Sequence, residues 1–75
     1  MYLITSKNCA KCKMLRQMLG DKYFFVEIRD AEDEMGTCRR LGIKSVPALV
    51  VDENTFTTEL DTIVEMIDKE LGESK

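Results

Sequence analysis

The chain has no histidine, no tryptophan, one proline, four glycines and three cysteines among its 75 residues. Each scarcity excludes something. A closed tetrahedral zinc site takes four ligands, and three thiols without an imidazole do not supply them. An odd cysteine count is not the disulfide framework of a small secreted domain. No apolar run approaches the ~20 residues that a membrane helix needs. The opening "MYLIT" is too short for a signal-peptide core and has no basic leader, so the chain is expected to be cytoplasmic. Repeats, low-complexity tracts and linkers are also missing. The length supports one domain, residues 1–75, with a modest core.

Positive charge is scarce as well. Eleven Lys and Arg stand against fourteen Asp and Glu, for a net charge of −3. That is a poor footprint for nucleic acid, so none is expected as a partner. The imbalance is uneven along the chain. Residues 1–22 carry Lys7, Lys11, Lys13, Arg16 and Lys22 against Asp21 alone, whereas residues 52–75 carry eight acids against Lys69 and Lys75. The acidic end reads as the solvated face of a last helix.

Seven elements are legible. "MYLITS" (1–6) is apolar without helical period and reads as a strand. Ser6 and Asn8, both N-cap types, precede a helix in which Met14, Leu15, Met18 and Leu19 recur at three and four, with Gly20 as its stop. "YFFVEI" (23–28) is aromatic and β-branched and reads as a buried strand. Asp30 is expected to cap a second helix with Ala31, Met35, Cys38 and Leu41 on one face. Gly36 within it costs about 1 kcal/mol relative to Ala, and Gly42 ends it.

Pro47 opens a strand over Ala48–Val51, a position where proline is tolerated. "DENT" (52–55) turns into a short strand over Thr55–Thr57. Thr58 caps the last helix, whose stripe is Leu60, Ile63, Val64, Ile67 and Leu71. "GESK" (72–75) is expected to fray. The order is βαβαββα: an α/β fold with a four-stranded mixed sheet flanked by three helices. The first two strands are parallel with a right-handed crossover, and the last two form an antiparallel hairpin. The expected core is Leu3, Ile4, Leu15, Met18, Leu19, Phe25, Val26, Met35, Leu41, Leu49, Val50, Ile63, Val64 and Ile67.

The chemistry concentrates in "SKNCAKCKML" (6–15), at the junction of the first strand and first helix. Cys9 falls at or just before the first helical turn, where free backbone N–H groups and the helix dipole favour negative charge. Lys7, Lys11 and Lys13 add to that preference for thiolate. Cys12 lies one turn deeper, near Cys9 but less exposed. Such an asymmetric pair suits dithiol exchange, with Cys9 attacking a disulfide and Cys12 resolving the mixed disulfide. Spacing alone leaves two other readings open: part of a soft-metal site, and two thiols without a role. Cys38, on the apolar stripe of the second helix, reads as a small hydrophobe. Arg39 and Arg40 beside it would activate it if it were exposed.

"CAKC" after the first strand, together with "SVPALVV" opening the hairpin strand, resembles the thioredoxin/glutaredoxin superfamily. The length is similar to that of its minimal glutaredoxin-like branch, and the resemblance spans almost the whole chain. It implies a thiol–disulfide oxidoreductase with a redox-active Cys9–Cys12 disulfide, Cys9 as nucleophile and Cys12 as resolving thiol. Pro47 would be cis beside the pair. Val46 would offer its backbone to an extended substrate segment, and Lys7 matches the basic residue upstream of the glutaredoxin nucleophile. Lys7, Ala10, Lys11, Val46, Pro47 and Thr58 would form the substrate-binding surface. Thr58 and the start of the last helix would meet a ligand carboxylate.

The same resemblance implies a disulfide-bearing client protein such as ribonucleotide reductase, a reductase or glutathione as electron donor, a monomer, and neither a metal nor a membrane partner. The chain departs from the family in four places, one being the buried acid below the thioredoxin pair, which has no clear counterpart here. "NTFTTELD" (54–61) lacks the glutaredoxin glycine pair. Ala10-Lys11 stands between the cysteines instead of Gly-Pro or Pro-Tyr. Asn8 replaces the thioredoxin tryptophan. Two alternatives differ in class. One is a Cu(I) carrier, since two thiolates suit that ion, although small copper chaperones are βαββαβ and end on a strand. The other is a non-catalytic thioredoxin-like binding module.

Overall fold

A computed structural model describes residues 1–71, and the fraying expected of residues 72–75 lies outside them. The order is β1 (Tyr2–Thr5), α1 (Ala10–Leu19), a 3₁₀ helix (Gly20–Phe25), β2 (Ile28–Asp30), α2 (Met35–Leu41), β3 (Ala48–Asp52), β4 (Thr55–Thr57) and α3 (Leu60–Leu71). The four strands form one mixed sheet in the order β2-β1-β3-β4. β1 and β2 run parallel, pairing Leu3 with Ile28. β1 and β3 run antiparallel, pairing Leu3 with Leu49, and β3 and β4 close the hairpin. This is the α/β architecture expected from the sequence.

Strand alternation sorts side chains onto two faces. Leu3 and Leu49 point to one face, where Leu15 and Leu19 of α1 and Ile63 and Ile67 of α3 cover them. Ile4, Ala48 and Val50 point to the other, beneath Cys38 and Leu41 of α2 and Ile43. Helices therefore cover both faces of the sheet.

Glycine terminates both earlier helices. Gly20 follows α1 at φ +60°, and Gly42 follows α2 at φ +80°, left-handed backbone that residues with a Cβ resist. The hairpin turn is held by the Asp52 carboxylate, which accepts a 2.9 Å hydrogen bond from the Asn54 N–H.

The segment 23–28 departs from its expected strand. Tyr23 to Phe25 belong to the 3₁₀ helix, and strand pairing begins at Ile28. The limit is the neighbour: β1 starts at Tyr2, and its first bond to this segment is the Leu3 N–H to Glu27 carbonyl, 2.8 Å. Aromatic preference for strands expresses fit to a half-buried pleated surface, and none lies opposite Tyr23–Phe25. Phe25, expected in the core, is 74% exposed, and Phe24 is 73% exposed. Tyr23 packs against the core with the Arg16 guanidinium 5.0 Å above its ring.

Met18 and Met35 are also exposed rather than buried. Each lies one step off the stripe its helix buries: Leu15 and Leu19 take the sheet-facing positions in α1, and Cys38 and Leu41 do so in α2.

Three expected caps shift. The α1 cap is Cys9 itself, not Ser6 or Asn8. Asp30 ends β2, and its carboxylate accepts from the Glu32 N–H at 2.8 Å, so it organises a turn while α2 begins after Glu34. At α3 the hydroxyl that accepts from the Glu59 N–H is that of Thr57, at 3.4 Å, rather than that of Thr58. The helix then starts at Leu60. No helix of the described residues is long and apolar enough to cross a membrane.

Candidate functional site

β1 ends at Thr5, and four residues link it to α1 at Ala10, the last of them, Cys9, serving as the cap. The cap backbone is extended, at φ −121° and ψ 110°. Its side chain does the work usually done by Ser or Asp: Cys9 Sγ accepts the Cys12 N–H at 3.1 Å. The Cys9 carbonyl takes the first helical bond from the Lys13 N–H at 3.2 Å. A backbone donor aimed at sulfur and the positive end of a helix both complement a thiolate there.

Cys9 is half-buried, and Cys12 is only 8% exposed, inside the stripe of α1. The two thiols are free and differ in environment. Burial pushes the Cys12 thiol up to about 11, with further upward pressure from its hydrogen bond to Cys9 and from the charge of Cys9; a backbone hydrogen bond at Ser6 works in the opposite direction. Cys12 is therefore a thiol at neutral pH, and its own backbone N–H is the donor on the sulfur of Cys9.

The second element of the site arrives from the α2–β3 connection. The Val46–Pro47 peptide is cis, as the family resemblance implied. Pro47 is buried, and Val46 is half-buried with its carbonyl oxygen 3.4 Å from Cys9 Sγ, accepting from the thiol. Residues 37 positions apart thus meet at one sulfur.

The remaining expected site residues distribute around this point. Ala10 and Lys11 are exposed in the first turn of α1, and Lys7 is exposed in the loop before it. Lys7 shares a shallow recess of about 140 Å³ with Asn8, Asp30 and Glu32. Lys11 and Thr58 line one recess of about 530 Å³ together with Met14, Met18, Glu59 and Asp61. Two carboxylates beside Thr58 oppose the ligand carboxylate expected there.

Sequence reasoning did not find a groove of about 410 Å³ beyond Val46. Met35, Cys38, Ile43 and Val46 contribute its apolar lining, and Arg39 and Lys44 its charge. The available signal was the basic pair beside Cys38. Only Arg39 of that pair lines the groove; Arg40 donates to the Glu53 carbonyl at 2.7 Å. Cys38 is half-buried, and burial first and Glu34 second push its thiol upward, which makes it a poor nucleophile. Among the described residues, no group of three or more Cys, Asp or Glu side chains is placed to hold a metal ion.

No protein-family profile, curated protein or solved structure matches the chain.

Proposed function

We propose that this protein is a dithiol–disulfide oxidoreductase of the thioredoxin/glutaredoxin kind, reducing protein disulfides through Cys9 and Cys12. The observation that carries this reading is the unequal pair at the start of α1. One sulfur is half-exposed and accepts the Cys12 backbone N–H, and the other is a buried thiol one helical turn deeper, held protonated chiefly by burial. A βαβαββα order with the pair following β1 and a proline opening β3 supports the family. It disfavours the copper-carrier alternative, which ends on a strand where this chain has α3.

The reaction follows from the geometry. Cys9 attacks as thiolate along the axis of a client disulfide. The Cys9–client S–S bond forms as the client bond breaks, and the departing client sulfur takes a proton. Cys12 then loses its proton and attacks Cys9 Sγ. The Cys9–Cys12 disulfide forms, the second client sulfur leaves and is protonated, and two electrons have passed from protein to client. Two of the three influences that raise Cys12, the Cys9 hydrogen bond and the Cys9 charge, come from the attacking sulfur. Both weaken once that sulfur is tied into a mixed disulfide, so formation of the intermediate prepares its own resolution. A reductase or glutathione returns the electrons.

The test is reduction of a protein disulfide by the dithiol form with a pair of variants. Cys9→Ala is expected to abolish reduction. Cys12→Ser is expected to accumulate a covalent client adduct on Cys9 visible by mass spectrometry. Full activity of Cys9→Ala would remove the assignment.

A further inference from the structure

Val46 borders both the Cys9 sulfur and a groove. Its carbonyl meets Cys9, and its side-chain region ends the groove that runs past Met35 and Cys38. The charged groups that line this groove are Arg39 and Lys44, and no carboxylate lines it. Both are exposed, and neither takes part in an ion pair among the described residues. Glu34, the acid that acts on Cys38, is already engaged: Arg29 donates to it at 3.4 Å and the Thr37 hydroxyl at 3.0 Å. The recess on the opposite side of the pair differs in sign, carrying Glu59 and Asp61 beside Lys11. Met35 is 57% exposed at the groove. Exposed methionine is an adaptable apolar contact suited to varied side chains.

We infer that this groove docks a segment of the client protein that carries acidic and apolar side chains next to its disulfide cysteine. The inference rests on the oxidoreductase reading and gives it a substrate class. The acidic side chain meets Arg39 and Lys44, the apolar one lies against Met35, Cys38 and Ile43, and the client sulfur is carried past Val46 to Cys9. Charge complementarity selects the sign of the partner. The apolar lining selects a peptide segment over glutathione, whose carboxylates have no apolar side chain to accompany them.

The experiment measures the second-order rate constant for a single turnover of the pre-reduced dithiol protein with short peptides whose single cysteine is joined by a disulfide to an uncharged thiopyridine, followed by thiopyridone release. The peptides differ only in two flanking positions: Glu-Leu, Gln-Leu, Lys-Leu and Glu-Ser. Wild-type protein is expected to prefer Glu-Leu to Lys-Leu by about tenfold at low salt, with the ratio narrowing as ions screen the groove. Arg39→Glu with Lys44→Glu is expected to invert that ratio, and Arg39→Gln with Lys44→Gln to bring it to unity. Met35→Ser is expected to erase the advantage of Glu-Leu over Glu-Ser. Circular dichroism checks that each variant is folded. Equal rates for all peptides, or a preference that survives charge reversal, overturns the docking inference while leaving the oxidoreductase reading intact. Glutathione competing with Glu-Leu through Arg39 and Lys44 overturns it in favour of a small thiol. Failure to reduce any peptide removes the oxidoreductase reading and the inference with it.

Discussion

The Cys9 sulfur lies 3.4 Å from the carbonyl oxygen of Val46 and 3.1 Å from the backbone nitrogen of Cys12, so one atom is held by both ends of the fold. The helix start supplies a donor and the connection into β3 supplies an acceptor. The two thiols therefore sit in unlike surroundings, Cys9 half-buried and Cys12 buried.

In Cys9→Ala, the hydrogen bond and the charge that help raise Cys12 are gone, while burial and the Ser6 contact remain. Cys12 is expected to titrate below about 11 in this variant, the value in the dithiol protein. Site-resolved alkylation rates against pH measure it. An unchanged titration would mean that burial alone governs Cys12.

The same group makes stability pH-dependent with a definite sign. The folded state keeps the Cys12 proton up to about 11, whereas an unfolded chain releases it near the ordinary 9.0. Between those values the unfolded state binds fewer protons, so stability falls as pH rises. The contribution is present below 9.0 and lost through about 11. The wild-type Tm is expected to drop more steeply over that window than that of Cys12→Ala, in parallel thermal melts of the two proteins.

Leu15 and Ile63 are both inaccessible and meet over the sheet where α1 and α3 pack. Leu15→Ala or Ile63→Ala is expected to cost about 2–5 kcal/mol, read by urea unfolding. In Leu15→Ala the loss falls on the helix that carries the cysteines, so disulfide reduction is expected to fall with stability.

Phe25→Ser distinguishes the 3₁₀ helix from the strand its composition suggests. With Phe25 mostly exposed, the substitution is expected to change stability by no more than about 0.5 kcal/mol. In a buried strand the same change would cost several times more.

Gly42 closes α2 in the left-handed region with open space around it. Gly42→Ala is therefore opposed by backbone conformation alone, by roughly 1 kcal/mol, visible as a lower unfolding midpoint.

Periodicity carried much of the fold. The stripe of Ile63 and Ile67, the apolar run of β3 behind Pro47 and the two terminating glycines all repeat signals that local physics imposes, and each stands where it was expected. The failures were of another kind. "YFFVEI" has strand composition, but how far β2 extends depends on where β1 begins, and that is a tertiary fact. Met18 and Met35 sit beside apolar stripes, and 3.6 residues per turn leaves such borderline positions unresolved. At the candidate site, the spacing of Cys9 and Cys12 and a helix start were readable. That Cys9 would serve as its own cap was not, because Ser6 and Asn8 are better caps by type. The meeting of Cys9 with Val46 closes across α1, the 3₁₀ helix, β2 and α2, and only the family resemblance pointed to it. The Arg39–Lys44 groove needed α2 to be docked before its residues could be seen as neighbours.

The sheet ends on two strands of three residues, β2 and β4, and the pairing of β3 with β4 shifts register between Val50 and Asp52. Short, irregular borders expose few backbone groups in step, which denies an extended chain a template for lengthening the sheet. The protein can thus be concentrated with little invitation to stack into fibrils.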